Sequence, residues 1–155
     1  MGNDNRQVTE IRGMSLVVKT VARISVGMIL MFGVFTAFYG HINTGGGFAG
    51  GVIIALAMIL MLVSYGRDIF TNRFDEYKAL SFLALGVLGF LVLMSLGLFV
   101  KDGYFCMNIF DKGKPFGLIS SGVILPSNLI VLFAESAGLL TIFLGLVYFK
   151  VWKGK

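Results

Sequence analysis

The sequence predicts an all-α integral membrane protein with four transmembrane helices, and three observations carry that prediction. The chain has 155 residues, 57% of them hydrophobic and only 14% charged, where a soluble domain carries about 25% charged residues. Its mean hydropathy is +0.89, so it has too few polar side chains to cover a water-facing surface. Its apolar runs are long, and a hydrocarbon core about 30 Å thick takes about 20 helical residues to cross. The basic residues stand in the flanks and links between those runs, which is the pattern that sets membrane topology. The formal charge of +5 therefore reads as attraction to anionic lipid headgroups. No basic stripe with interleaved polar readers supports nucleic-acid binding.

The expected organisation is one membrane domain over 1–155, with spans at about 17–40, 47–66, 79–100 and 128–149. The first run follows a polar lead holding Asp4, Arg6, Glu10 and Arg12. Lys19 and Arg23 lie four apart in its first turns, hence on one helical face. They suit snorkelling to the near interface as topology anchors, with contact to anionic partner residues as the sharper alternative. The long charged lead and the lack of a small-residue cleavage site favour an uncleaved span over a signal peptide.

The second run is entered directly from a glycine-rich corner, residues 40–51, and ends at Arg67 and Asp68. The third is bracketed by Lys78 and Lys101 with no charge between them. A polar link then leads to Phe116–Leu125, which is too short to span as a helix. Its glycines and β-branched residues allow a short hairpin or re-entrant piece before the last helix. Pro126 suits a helix start, and Ser127 or Asn128 a cap. The last run closes with Lys150, Lys153 and Lys155.

Counting lysines and arginines gives orientation. Ten fall with the amino-terminal flank, the second link and the carboxyl terminus, and only Lys101, Lys112 and Lys114 fall on the other side. Both termini are thus expected in the cytoplasm, with the glycine corner, His41 and Cys106 facing outward.

Glu135 is the one acid inside a span. Placing a charge at that depth costs roughly 2.5–3.5 kcal/mol on insertion scales, so it needs a partner, a water path or a bound proton. At helical spacing it shares a face with Asn128 and Gly138, with Gly145 near the edge, and a polar-and-small stripe marks an interhelical seam. Glu135 reads either as a proton- or cation-handling carboxylate, with Asn128 beside it, or as a buried acid hydrogen-bonded to a neighbour.

His41, the only histidine, suits proton relay or a hydrogen bond to the backbone of the glycine corner. Gly46 and Gly50, like Gly47 and Gly51, have small-xxx-small spacing, which favours close helix approach. No lysine and Ser/Thr follow the glycines, so a phosphate-binding loop is not expected. One cysteine excludes an internal disulfide, and the lack of Cys/His clusters argues against a metal site within the chain. No nucleophile–base–orienter set stands out, so a self-contained enzyme is not expected.

Gly40-His41, followed by Gly45-Gly46-Gly47-Phe48 and Gly50-Gly51 at the mouth of an apolar helix, resembles the MnhB/MrpB family. Its members are membrane subunits of Mrp-type sodium/proton antiporters, with related domains in the antiporter-like module of archaeal membrane-bound hydrogenase and sulfur-reducing complexes. The resemblance covers most of the chain; Thr44 stands where the family usually has proline before the triple glycine. It implies a small non-catalytic membrane subunit without a cofactor of its own. Its partners would be other membrane subunits, and sodium ions and protons the transported species. The competing readings are a self-sufficient homo-oligomeric transporter that uses Glu135, and a purely structural spacer.

Overall fold

The computed structural model describes residues 14–66, 76–100, 104–110, 113–114, 116–117 and 120–153. The expected topology residues Arg6, Arg12, Arg67, Arg73, Lys101, Lys112 and Lys155 lie outside these. Among the described residues the chain is all helical, with α1 at Leu16–Phe38, α2 at Gly47–Tyr65, α3 at Glu76–Val100 and α4 at Ile124–Lys153. Each is long and apolar enough to cross a membrane.

Helix α1 runs through an apolar stretch until the backbone N–H of Tyr39 closes the last turn on Phe35 O. The Phe35 and Tyr39 rings stack there, centroids 4.5 Å apart. Gly66 ends α2 with φ +86° and donates its N–H to Leu62 O; a residue with a β-carbon would be strained in that conformation. Helix α4 has 30 residues, about 45 Å at 1.5 Å per residue, so it overshoots the hydrocarbon core. It also begins four residues before the expected position. Pro126 sits inside its first turn, where a missing N–H breaks no intrahelical bond.

Neither expected cap is used. The Ser127 hydroxyl donates back to Ile124 O at 2.8 Å, and the Asn128 amide reaches Ala37 O in α1 at 3.5 Å. The segment before α4, where a hairpin or re-entrant piece was expected, forms successive turns in its described part. Gly117 N–H bonds Lys114 O, Ser120 N–H bonds Gly117 O, and Ile124 N–H bonds Ser121 O. Ile124 and Leu125 already belong to α4.

The helices pack in the order α1, α2, α4, α3, with α1 making a smaller contact to α4. Helix α2 is the inner one, with 39% of its spanning window buried, and α3 the outermost at 11%. Towards the end away from the glycine corner, Leu62 of α2 meets Leu140 and Leu144 of α4, flanked by Met58, Ile59 and Phe143. Helix α3 lies on α4 through Gly86, where a β-carbon would stand 2.7 Å from Ala134 Cβ.

Candidate functional site

The site is built where the glycine corner joins α1, α2 and α4. Ile42 and Asn43 both turn their N–H groups back to Tyr39 O, and Gly46 N–H reaches Thr36 O at 3.2 Å. Gly40 lies directly against the Gly46 backbone, and a β-carbon on Gly45 would stand 2.9 Å from Thr36 O. Gly46 caps α2 with φ +133° and ψ −179°, a region essentially confined to glycine.

From there the glycines divide by direction. Gly47 faces α4: a β-carbon would collide with Asn128 O. Gly50 faces α1, where a β-carbon would stand 2.6 Å from Gly33 O. Gly51 returns to α4, its would-be β-carbon 2.7 Å from Glu135 Cβ and 2.9 Å from Leu132 O. The two expected small-residue pairs therefore differ. Gly47 and Gly51 form one packing face, whereas Gly46 serves backbone conformation: a β-carbon there would meet nothing closer than Asn128 Oδ1 at 3.9 Å. Phe48 points away from the seam and is exposed.

Glu135 thus sits beside Gly51 at mid-helix in α4, partly buried. Among the described residues no hydrogen bond or ion pair reaches its carboxylate. Asn128 lies two turns away on the same flank. Gly138, expected on that face, is turned towards Leu83 of α3, and Gly145 has nothing within 4 Å of a would-be β-carbon. The expected stripe splits between two seams: Asn128, Leu132 and Glu135 meet α2, while Ala134 and Gly138 meet α3.

His41 does not bond the corner's own backbone. Its Nε2 donates to Gly117 O at 3.3 Å, in the loop before α4, and its Nδ1 is buried without a partner among the described residues. That carbonyl also accepts the Ser120 hydroxyl at 2.6 Å. The contact places His41 at the same end of the bundle as the long α3–α4 loop, which carries the exposed Cys106. Lys19 and Arg23 stand in the first turns of α1 at the opposite end, Arg23 exposed and Lys19 half-buried.

Asn108 was not singled out by sequence. Its amide donates to Phe110 O at 2.8 Å, and its Oδ1 accepts Val123 N–H at 2.9 Å. Gly122, at φ +58°, leaves room for that side chain. A polar residue in a polar loop gives no periodic signal, so only the three-dimensional contact reveals that it ties the loop to the residue preceding α4.

Residues 17–154 match the model of the domain related to the MnhB subunit of the Na+/H+ antiporter. This chain belongs to the MnhB family. It is a multi-pass membrane member of that family, and the matched range takes in the spanning part of all four helices except Leu16. An uncharacterized protein of Methanocaldococcus jannaschii is 35% identical over 121 residues, which cover 74% of this chain and 45% of that protein. A Staphylococcus epidermidis protein that carries the name putative antiporter subunit mnhB2 is 36% identical over 77 residues, 50% of this chain and 52% of that one. Among solved structures, a chain of the membrane-bound sulfane sulfur reductase, an archaeal respiratory membrane complex, superposes with a TM-score of 0.61. It is 28% identical, with 83% of this chain and 56% of that chain covered. This MnhB-family chain spans about half the length of these relatives.

Proposed function

We propose that this chain is a non-catalytic membrane subunit of a multi-subunit cation/proton antiporter module in a prokaryotic cell membrane, with both termini in the cytoplasm. Sodium is the expected counter-ion. The observation that carries the reading is Glu135, an acid midway along a spanning helix and unpaired among the described residues, in a chain of the MnhB family. A carboxylate at that depth can take up a proton or a cation, and the polar flank it shares with Asn128 borders the path of that ion. His41 and the glycine corner shape the outer end. No cofactor is expected in this chain, and any redox centres would belong to its partners.

The test is ion exchange by the intact complex in inverted membrane vesicles. Glu135→Gln keeps the side chain's size and removes its charge. Exchange is expected to fall several-fold while the complex is still recovered in mild detergent. Unchanged exchange would leave only the structural-spacer reading. Liposomes holding this chain alone are expected to show no exchange; activity there would favour the self-sufficient homo-oligomer. Identification of co-purifying chains separates a stand-alone antiporter from the ion-translocating arm of a hydrogenase-type complex.

A further inference from the structure

Glu135 is not enclosed by its own bundle. Ile142 and Leu146 lie seven and eleven residues beyond it, and Ile124 eleven before, which puts all three on its side of α4. Ile142 and Leu146 are each 63% exposed and Ile124 50%. On α2, Gly50 turns to α1, and Phe48 and Leu56 on the opposite flank are exposed. The carboxylate therefore stands at the edge of an apolar outward face, between α2 and α4 on the side away from α1.

The described basic groups of the chain are too far along the membrane normal to neutralise it. Gly51 abuts Glu135 and Gly33 abuts Gly50, so Glu135 is level with Gly33. Arg23 is ten residues from Gly33, about 15 Å along α1, and Lys19 is farther still. Gly86 abuts Ala134, and Lys78 is eight residues from Gly86, about 12 Å along α3. His41 and Lys114 lie beyond Asn128, itself about 10 Å from Glu135. A second copy in the same orientation would bring these groups to the same depths.

We infer that this outward face of α4 receives a transmembrane helix of another subunit, which carries a lysine or arginine at the depth of Glu135 and pairs with it. The inference rests on the reading of this chain as a subunit. An apolar face with one negative charge inside the span, level with Gly51 and Gly33, selects a helix that is apolar except for one positive charge at that level, because either charge alone in lipid is costly. Pairing also fixes axial register, since the two groups meet only at one level.

The experiment uses the whole complex in native membranes. Ile142→Cys, in a Cys106→Ser background, is treated with a photoactivatable maleimide cross-linker. The expected result is a cross-link to one helix of one partner chain. Glu135→Lys should then lower recovery of that partner about tenfold or more. Replacing one lysine or arginine of the cross-linked helix by glutamate should restore recovery, which also shows that Glu135→Lys folds. Glu135→Gln, which keeps an acceptor, should retain the partner. Cross-linking to lipid or to a second copy, unchanged recovery with Glu135→Lys, or failure of every charge swap would overturn the pairing. If native electrophoresis finds the chain outside any complex, the subunit reading itself fails; if the chain is in a complex but Ile142→Cys meets lipid, only the pairing fails.

Discussion

Gly47 and the backbone carbonyl of Asn128 touch so closely that a β-carbon on Gly47 would overlap the carbonyl oxygen. One turn further on, Gly51 repeats the relationship with Leu132 and Glu135. Helices α2 and α4 are thus in backbone contact at the end where the glycine corner feeds α2, and the acid of the site is held by that contact rather than by a polar partner among the described residues.

Gly51→Leu is expected to force α2 and α4 apart, because a branched side chain there runs into Glu135 Cβ and Leu132 O. Overpacking of this kind costs about 1–3 kcal/mol. It should lower the thermal midpoint of the detergent-solubilised protein and its recovery with partners. Gly145→Ala is the matched control: nothing lies within 4 Å of its β-carbon, and its midpoint should stay level or rise slightly. Equal behaviour of the two variants would refute the close-contact account.

Gly46→Ala tests conformation in place of packing. No neighbour obstructs a β-carbon closer than 3.9 Å, yet φ +133° with ψ −179° disfavours any side chain by about 1–3 kcal/mol. The variant should lose stability by that amount in thermal unfolding. A neutral outcome would mean that the corner relaxes to another path at no cost.

The spans are legible in the sequence because charges bracket them: Lys78, in the first turn of α3, and Lys101 bound its uncharged stretch, and the lysines from 150 onward follow the apolar part of α4. The glycine corner is legible as a place of close approach. Which glycine does which job is not, because the division between Gly46, Gly47, Gly50 and Gly51 depends on where α1 and α4 lie. Pro126 and Asn128 mislead for a related reason. Capping is local, but Asn128 is drawn to Ala37 of another helix, and Pro126 costs nothing inside a first turn. Gly138 shares a helical flank with Glu135 on the wheel, yet the wheel does not say that α3 rather than α2 covers it.

His41→Ala removes the bond to Gly117 O. A hydrogen bond contributes about 0.5–1.5 kcal/mol net, so amide deuterium uptake around Gly117 and Ser120 should accelerate a few-fold, with α1 and α2 unaffected. Unchanged uptake would show that Ser120 and the local turns hold the loop alone.

Cys106 gives a topology test without added reporters, since it is the single cysteine and is exposed. An impermeant maleimide should label it in intact cells. Labelling only after permeabilisation would invert the proposed orientation and place the glycine corner in the cytoplasm.

The α2–α4 pair narrows from one end to the other. At the corner the two backbones meet across glycine; at the far end Leu62, Leu140 and Leu144 stand between them. Such a wedge is stiff at its tip, where there is no side chain to rearrange, and yielding at its base, where leucine rotamers can shift. Sideways force from an adjoining subunit would therefore swing the base about the tip, and Glu135, lying close to the pivot, would keep its place while the rest of the wedge opened or shut.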